Sequence, residues 1–109
     1  MNKLIVNNAS VNGTCLQGYV KTTLRVLKSI LGKPEYEEEY GYPMDKVTTE
    51  WNLTFPCGTV ATIYDWKLPR QPSYDEEYEW HVGGNGKIAE VLVNRLIKGE
   101  EKYEIENTK

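Results

Sequence analysis

The sequence predicts an α+β domain of two layers: a mostly antiparallel sheet of about five strands, with two helices on one face. Three features of the chain point to it. Residues 47–55 and 60–67 are rich in alternating, β-branched and aromatic residues, and Pro56, Cys57 and Gly58 lie between them as a turn, so the pair reads as a hairpin. Leu24, Leu27, Ile30 and Leu31 recur at helical spacing. Ile88, Val91, Leu92 and Leu96 do so again near the C-terminus.

In chain order, Leu4, Ile5 and Val6 form a short strand at an edge. Residues 7–13 carry turn chemistry. Residues 14–20 read as a second strand, with Leu16 and Tyr19 toward the core and Gly18 marking a bulge or a close approach. The first helix follows. Thr22 or Thr23 is its N-cap, Gly32 its C-terminal glycine, and Pro34 blocks continuation. Residues 35–43 are a loop closed by Gly41 and Pro43. The hairpin comes next, and then a turn over 68–73 fixed by two prolines. A strand over 79–82 runs into Gly83, Gly84, Asn85 and Gly86. The second helix spans 87–98, with Ile88, Val91, Leu92, Leu96 and the stem of Arg95 on its inner face, and Gly99 stops it. Residues 100–109 are a polar tail that frays, leaving 1–99 as a single domain. The element order is β-β-α-β-β-β-α.

Composition narrows the function classes. A chain of 109 residues is one domain with a thin core, so partner subunits would help it. A net charge of −3 argues against non-specific binding to nucleic acid or to an anionic membrane. Cys15, Cys57 and a single His81 make neither a zinc set nor a cofactor motif. The apolar run at the N-terminus is too short for a signal peptide or a membrane span, which points to the cytosol of a host cell with both thiols reduced. The 8 Tyr and 3 Trp against one Phe suit interfaces and ligand sites, or else complete a small core.

Three constellations can carry chemistry. Gly83, Gly84, Asn85, Gly86 and Lys87 form a glycine-rich passage from strand to helix, where free N–H groups and the helix dipole suit an anion. The passage lacks the P-loop pattern, and a tight turn with Asn85 as cap explains it equally. Lys21, Thr22 and Thr23 enter the first helix in the same way, as an anion site or as an ordinary cap. In the third, Tyr64 and Trp66 share one face of a strand while Asp65 and Lys67 share the other. Trp66 can stack on a base or fill the core, and Lys67 can meet a phosphate or pair with Asp65. His81 has no evident nucleophile beside it, which leaves a hydrolase reading behind non-catalytic ones. The segments 36–40 and 74–78 echo one another as Tyr and acid runs: two solvated loops, or two lobes that grip a basic partner.

Residues 13–20, 57–67 and 80–84, with Gly32, Lys33 and Pro34 and with Glu50 and Trp51, together resemble a widespread group of small bacteriophage proteins. Cys57 and Gly58 depart from the aspartate-glycine turn of that pattern. The resemblance implies a counter-defence protein of the sponge type, which sequesters cyclic nucleotide immune signals as anti-CBASS and anti-Thoeris proteins do. Such a protein is a homo-oligomer with shared pockets and no catalysis. Phosphates would sit near Lys21, Thr22, Gly83, Gly84 and Lys87, and bases on Tyr64, Trp66 or Trp80. The alternative is a protein-binding inhibitor, of anti-CRISPR or anti-nuclease type, using the acidic-tyrosine loops 35–42 and 74–79 against a host defence protein.

Overall fold

Period-two alternation in three consecutive strands decides where the core lies. The structure, a computed structural model, describes residues 2–41 and 46–109. Over these the chain runs β1 (Lys3–Val6), β2 (Cys15–Thr22), α1 (Leu24–Leu31), β3 (Tyr36–Glu37), β4 (Thr49–Thr54), β5 (Val60–Tyr64), β6 (Tyr78–Gly84), α2 (Ile88–Ile97) and β7 (Glu104–Asn107). The strands form one mixed sheet in the order β2-β6-β5-β4-β1-β7, and β3 also pairs with β4. Every pairing is antiparallel except that of β1 with β7. The domain is thus α+β, with seven strands among the described residues rather than about five.

Trp51, Leu53, Ala61, Ile63, Trp80 and Val82 alternate along β4, β5 and β6 and are fully buried. Leu24, Leu27 and Leu31 of α1 and Ala89, Val93 and Leu96 of α2 join them in a single core. Trp51 and Trp80 meet edge to face, 6.0 Å between ring centroids, an arrangement aromatic pairs prefer. The Trp51 indole N–H also donates to the Gly32 carbonyl at 3.0 Å, tying the hairpin to the end of α1. Thr23 caps α1 by accepting from the Val26 amide at 3.1 Å, and Gly32 leaves the helix at a φ of 83°.

Several expectations give way to tertiary packing. β1 is an interior strand, flanked by β4 and β7. Leu16 and Tyr19 are 47% and 41% exposed instead of core-facing. A register shift between Leu16 and Gly18 places both outside and gives the buried face to Val20 and Thr22. The loop expected over 35–43 contributes β3, which pairs with β4 at Glu50 and Thr49. Tyr42 and Pro43 lie outside the described residues.

The inner face of α2 is also rotated. Ala89, Val93 and Leu96 are buried, while Ile88 and Val91 face solvent. The cause is the free edge of β2, whose unpaired amides need partners. Glu90 accepts from the Tyr19 amide at 2.8 Å, Asn94 donates to the Tyr19 carbonyl at 3.0 Å, and Lys87 donates to the Gln17 carbonyl at 2.8 Å. These three residues share one flank of the helix. Turning that flank to β2 rolls Ile88 and Val91 outward. Gly18 allows the approach, because a Cβ there would fall 1.9 Å from the Glu90 carboxylate.

The polar C-terminal stretch does not fray over its whole length. Glu104–Asn107 pairs in parallel with β1, and Asn107 Nδ2 donates to the Leu31 and Lys33 carbonyls, each at 2.8 Å. Asn7 Nδ2 donates to the same Lys33 carbonyl at 2.7 Å. The unpaired carbonyls at the end of α1 are therefore satisfied by both terminal strands. Asn107→Ala is expected to lower stability by about 1–3 kcal/mol, since it leaves the Leu31 carbonyl without its side-chain donor and the Lys33 carbonyl with Asn7 alone. Urea denaturation measures this, and an unchanged midpoint would mean that α1 ends independently of β7.

Candidate functional site

The two helix beginnings do not meet within a subunit. In the β2–β6 ladder Thr22 pairs with Tyr78 at one end and Cys15 with Gly84 at the other. Lys21 pairs with Glu79, so at ~3.3 Å per residue it is separated from Gly83 and Gly84 by roughly 13–17 Å. Each group also has a structural task. Lys21 lies 3.7 Å from Glu77, Thr22 is buried, and the Thr23 hydroxyl caps α1. Gly83 and Gly84 belong to β6, where a Cβ on Gly83 would fall 2.5 Å from Thr62 Oγ1 and one on Gly84 2.6 Å from the Ala89 Cβ. Close packing, not a phosphate cradle, accounts for both glycines. Asn85 is not the cap of α2; the N-cap position is Lys87, which makes no side-chain cap hydrogen bond. The Lys87 ammonium pairs with Glu90 at 2.9 Å besides holding Gln17. Trp80 is sealed in the core and presents no face to a base.

What does converge is the outer sheet face, opposite the helices. His81 of β6 lies between Tyr19 of β2 and Tyr64 of β5, at centroid distances of 5.0 and 5.3 Å. Trp66 meets both Tyr64 and His81 at 6.2 Å. The ammonium groups of Lys46 and Lys67 stand 5.6 and 5.8 Å from the Trp66 ring centroid, within cation–π range. Burial lowers the pKa of His81, with Asp65 and Glu79 opposing it, so the imidazole is neutral at neutral pH. Its Nδ1 is buried and has no hydrogen-bond partner among the described residues.

Beside these rings opens a cavity of about 220 Å³, lined by Val11, Thr14, Cys15, Val47, Glu50, Thr62, Tyr64, Trp66 and Gly83. Glu50 faces Tyr64 across the β4–β5 pair. Burial raises the Glu50 pKa, and Glu35 and Asp65 raise it further. Burial likewise raises the phenol of Tyr64, with Glu50 adding to the effect.

Asp65 sets the rim of this site. It is fully buried directly after β5 and accepts hydrogen bonds from the Thr48 amide at 2.7 Å, the Thr49 amide at 3.1 Å and the Thr48 hydroxyl. Lys67 does not pair with it. The chain turns at Lys67 with a φ of 56°, and the Lys67 amide donates to the Lys46 carbonyl at 2.7 Å. Tyr64 and Trp66 therefore sit on one side, as the alternation suggests, with both lysines at the rim. The Trp66 amide donates to the Tyr78 hydroxyl at 3.2 Å, which further fixes its place.

Four participants escaped the sequence reading. Tyr19 was hidden by the bulge, and Lys46 is placed only by the bond to Lys67. Glu50 and Thr62 were findable, because each occupies a polar, outward position of the alternating hairpin. The acidic-tyrosine segments lie elsewhere, against α1. Glu37 meets Lys28 at 2.6 Å, Asp75 meets Arg25 at 2.6 Å, and the Arg25 guanidinium sits 4.6 Å from the Tyr74 ring centroid.

Both cysteines are free and exposed. Among the described residues there is no group of three or more His, Cys, Asp or Glu placed to hold a metal, and no helix long and apolar enough to cross a membrane. No protein-family model matches the chain, and comparison with curated proteins and with solved structures finds no match.

Asp65→Ala is expected to destabilise the protein by about 2–5 kcal/mol, because two buried amides and a hydroxyl lose their acceptor. Asp65→Asn, which keeps an acceptor oxygen, is expected to lose less; equal stability of Asp65→Ala and the parent in urea would refute the account. Glu50 has the opposite sign. Its raised folded pKa means that the folded state holds the proton more tightly than the unfolded chain, so stability falls as pH rises through the usual carboxylate range toward the raised value. Glu50→Gln should therefore raise Tm at pH 7, and by more than at pH 4. Equal shifts at the two pH values, or a loss at pH 7, would contradict this.

Proposed function

We propose that the protein is a non-catalytic binder of a nucleotide-type signal, held on the outer sheet face. The observation that carries this is the juxtaposition, at the end of β5, of the Tyr64 and Trp66 rings, an adjoining cavity and two ammonium groups around Trp66. Exposed aromatic faces receive planar bases whatever their sequence, and lysines receive phosphates. In the setting the phage-protein resemblance suggests, the ligand is a cyclic oligonucleotide immune signal, sequestered in the host cytoplasm without cleavage by an oligomer whose subunits share pockets.

The contacts of this reading are Tyr64, Trp66 and Lys67, with His81 and Tyr19 supporting the rings and Lys46 joining Lys67. Lys87 acts instead as a cap on the β2 edge. The protein-binding alternative is weaker, because Glu37 and Asp75 are already matched by Lys28 and Arg25.

Calorimetric titration with a panel of cyclic di- and trinucleotides and cyclic ADP-ribose species tests the proposal. At least one member is expected to bind. Trp66→Ala should weaken that binding about 10- to 100-fold, the range expected for one lost stacking contact. Glu37→Lys, made in the acidic segment, should leave it unchanged. A panel without any binding would overturn the reading, and native mass spectrometry of the complex would count the subunits.

A further inference from the structure

The cavity beside Tyr64 has an unanswered polar wall. Glu50 is half-buried there, and among the described residues nothing donates a hydrogen bond to its carboxyl group. A partly buried carboxylate without donors is costly, and a ligand that supplies them removes the cost. Carboxylate oxygens accept hydrogen bonds and donate none.

Resting on the nucleotide reading above, we propose that this cavity selects guanine: the base lies against Tyr64 and Trp66, and its N1–H and 2-amino groups donate to the two Glu50 oxygens. Among the common bases, guanine alone presents two adjacent donors on its pairing edge. Adenine and cytosine place a ring-nitrogen acceptor next to the amino group, where a carboxylate repels it. Uracil offers one N–H between two carbonyls. Thr62 lines the same cavity and carries a hydroxyl able to donate to the guanine carbonyl, whereas the Thr14 hydroxyl donates to the Val11 carbonyl.

Size and charge agree with this occupant. The cavity, at about 220 Å³, lies below the roughly 300–1,000 Å³ of sites for drug-sized ligands, so it takes one ring system and leaves sugar and phosphate outside. There Lys46 and Lys67 stand at Trp66. The same two ammonium groups disfavour a simple cation, which Glu50 would attract but the rim would repel. The site is thus anionic where the donor edge of the base goes and cationic where the phosphate goes.

Cyclic di-GMP and cyclic di-AMP differ only in their bases, so calorimetric titration of the full-length protein with each at pH 7.5 isolates base choice. GMP and AMP repeat the comparison without the macrocycle. The guanine member of each pair is expected to bind about 10- to 100-fold more tightly, the discrimination of one bidentate contact. Glu50→Gln should abolish that preference by weakening guanine binding alone, and Glu50→Ala provides a second variant if the first misfolds. Guanine affinity should also fall as pH drops through the Glu50 titration, because the protonated carboxyl loses an acceptor, while adenine affinity does not fall. Equal affinities, an adenine preference, or a guanine preference that survives in the variants would overturn the guanine assignment and leave the nucleotide reading standing. Wild-type protein that binds no nucleotide would overturn both.

Discussion

A single buried carboxylate organises the end of the sheet that matters most. Asp65 is sealed from solvent, and a polar group in that position persists only where donors surround it. Thr48 and Thr49 supply two amides and a hydroxyl. Their convergence draws the segment that leads into β4 onto the residues that leave β5. The backbone contact between Lys67 and Lys46 follows from this, as does the position of Trp66 between their two ammonium groups. Without Asp65 the aromatic rim would have no fixed address.

The opposite edge of the sheet is governed by a different constraint. β2 has a free side, and α2 covers it with three polar side chains instead of a further strand. This division of labour gives α2 three faces: Ala89, Val93 and Leu96 toward the core, Lys87, Glu90 and Asn94 toward the strand, and Ile88 and Val91 outward. It also explains two glycines, one within β2 and one in the glycine-rich passage. Gly18 makes room for Glu90 and Gly84 for Ala89. A helix fastened this closely to its sheet has its first lysine engaged with protein groups.

Core and candidate site are two sides of the same alternation. Ile63 and Val82 face the helices, while their neighbours Thr62, Tyr64 and His81 face outward. On the inner side, the rings of Trp51 and Trp80 are fully buried and pack edge to face. On the outer side, Tyr19, Tyr64, Trp66 and His81 form a chain of ring contacts that no helix among the described residues covers, and a cavity with Glu50 in its wall remains beside them. The excess of tyrosine over phenylalanine fits this arrangement, since a phenol tolerates a half-wet face and a phenyl ring gains less there.

The sequence alone determined what depends on local pattern: the α+β class, the β4–β5 hairpin, α1 with a threonine cap at Thr22 or Thr23 and its Gly32 stop, and the placing of Tyr64 and Trp66 on one side. Period and cap chemistry act over a few residues, so they can be read from a few residues. Only the tertiary structure decided the rest. The strand over 104–107 has one apolar side chain and exists because β1 pairs with it and Asn107 reaches the end of α1. The roll of α2 answers the unpaired amides of β2, some 70 residues earlier in the chain. The separation of the two helix beginnings follows from the antiparallel register of β2 and β6, and that same register brings Tyr19 to His81. Hydrogen-bond partners and ring contacts between distant segments are fixed by how the elements close on one another, which no window of neighbouring residues records.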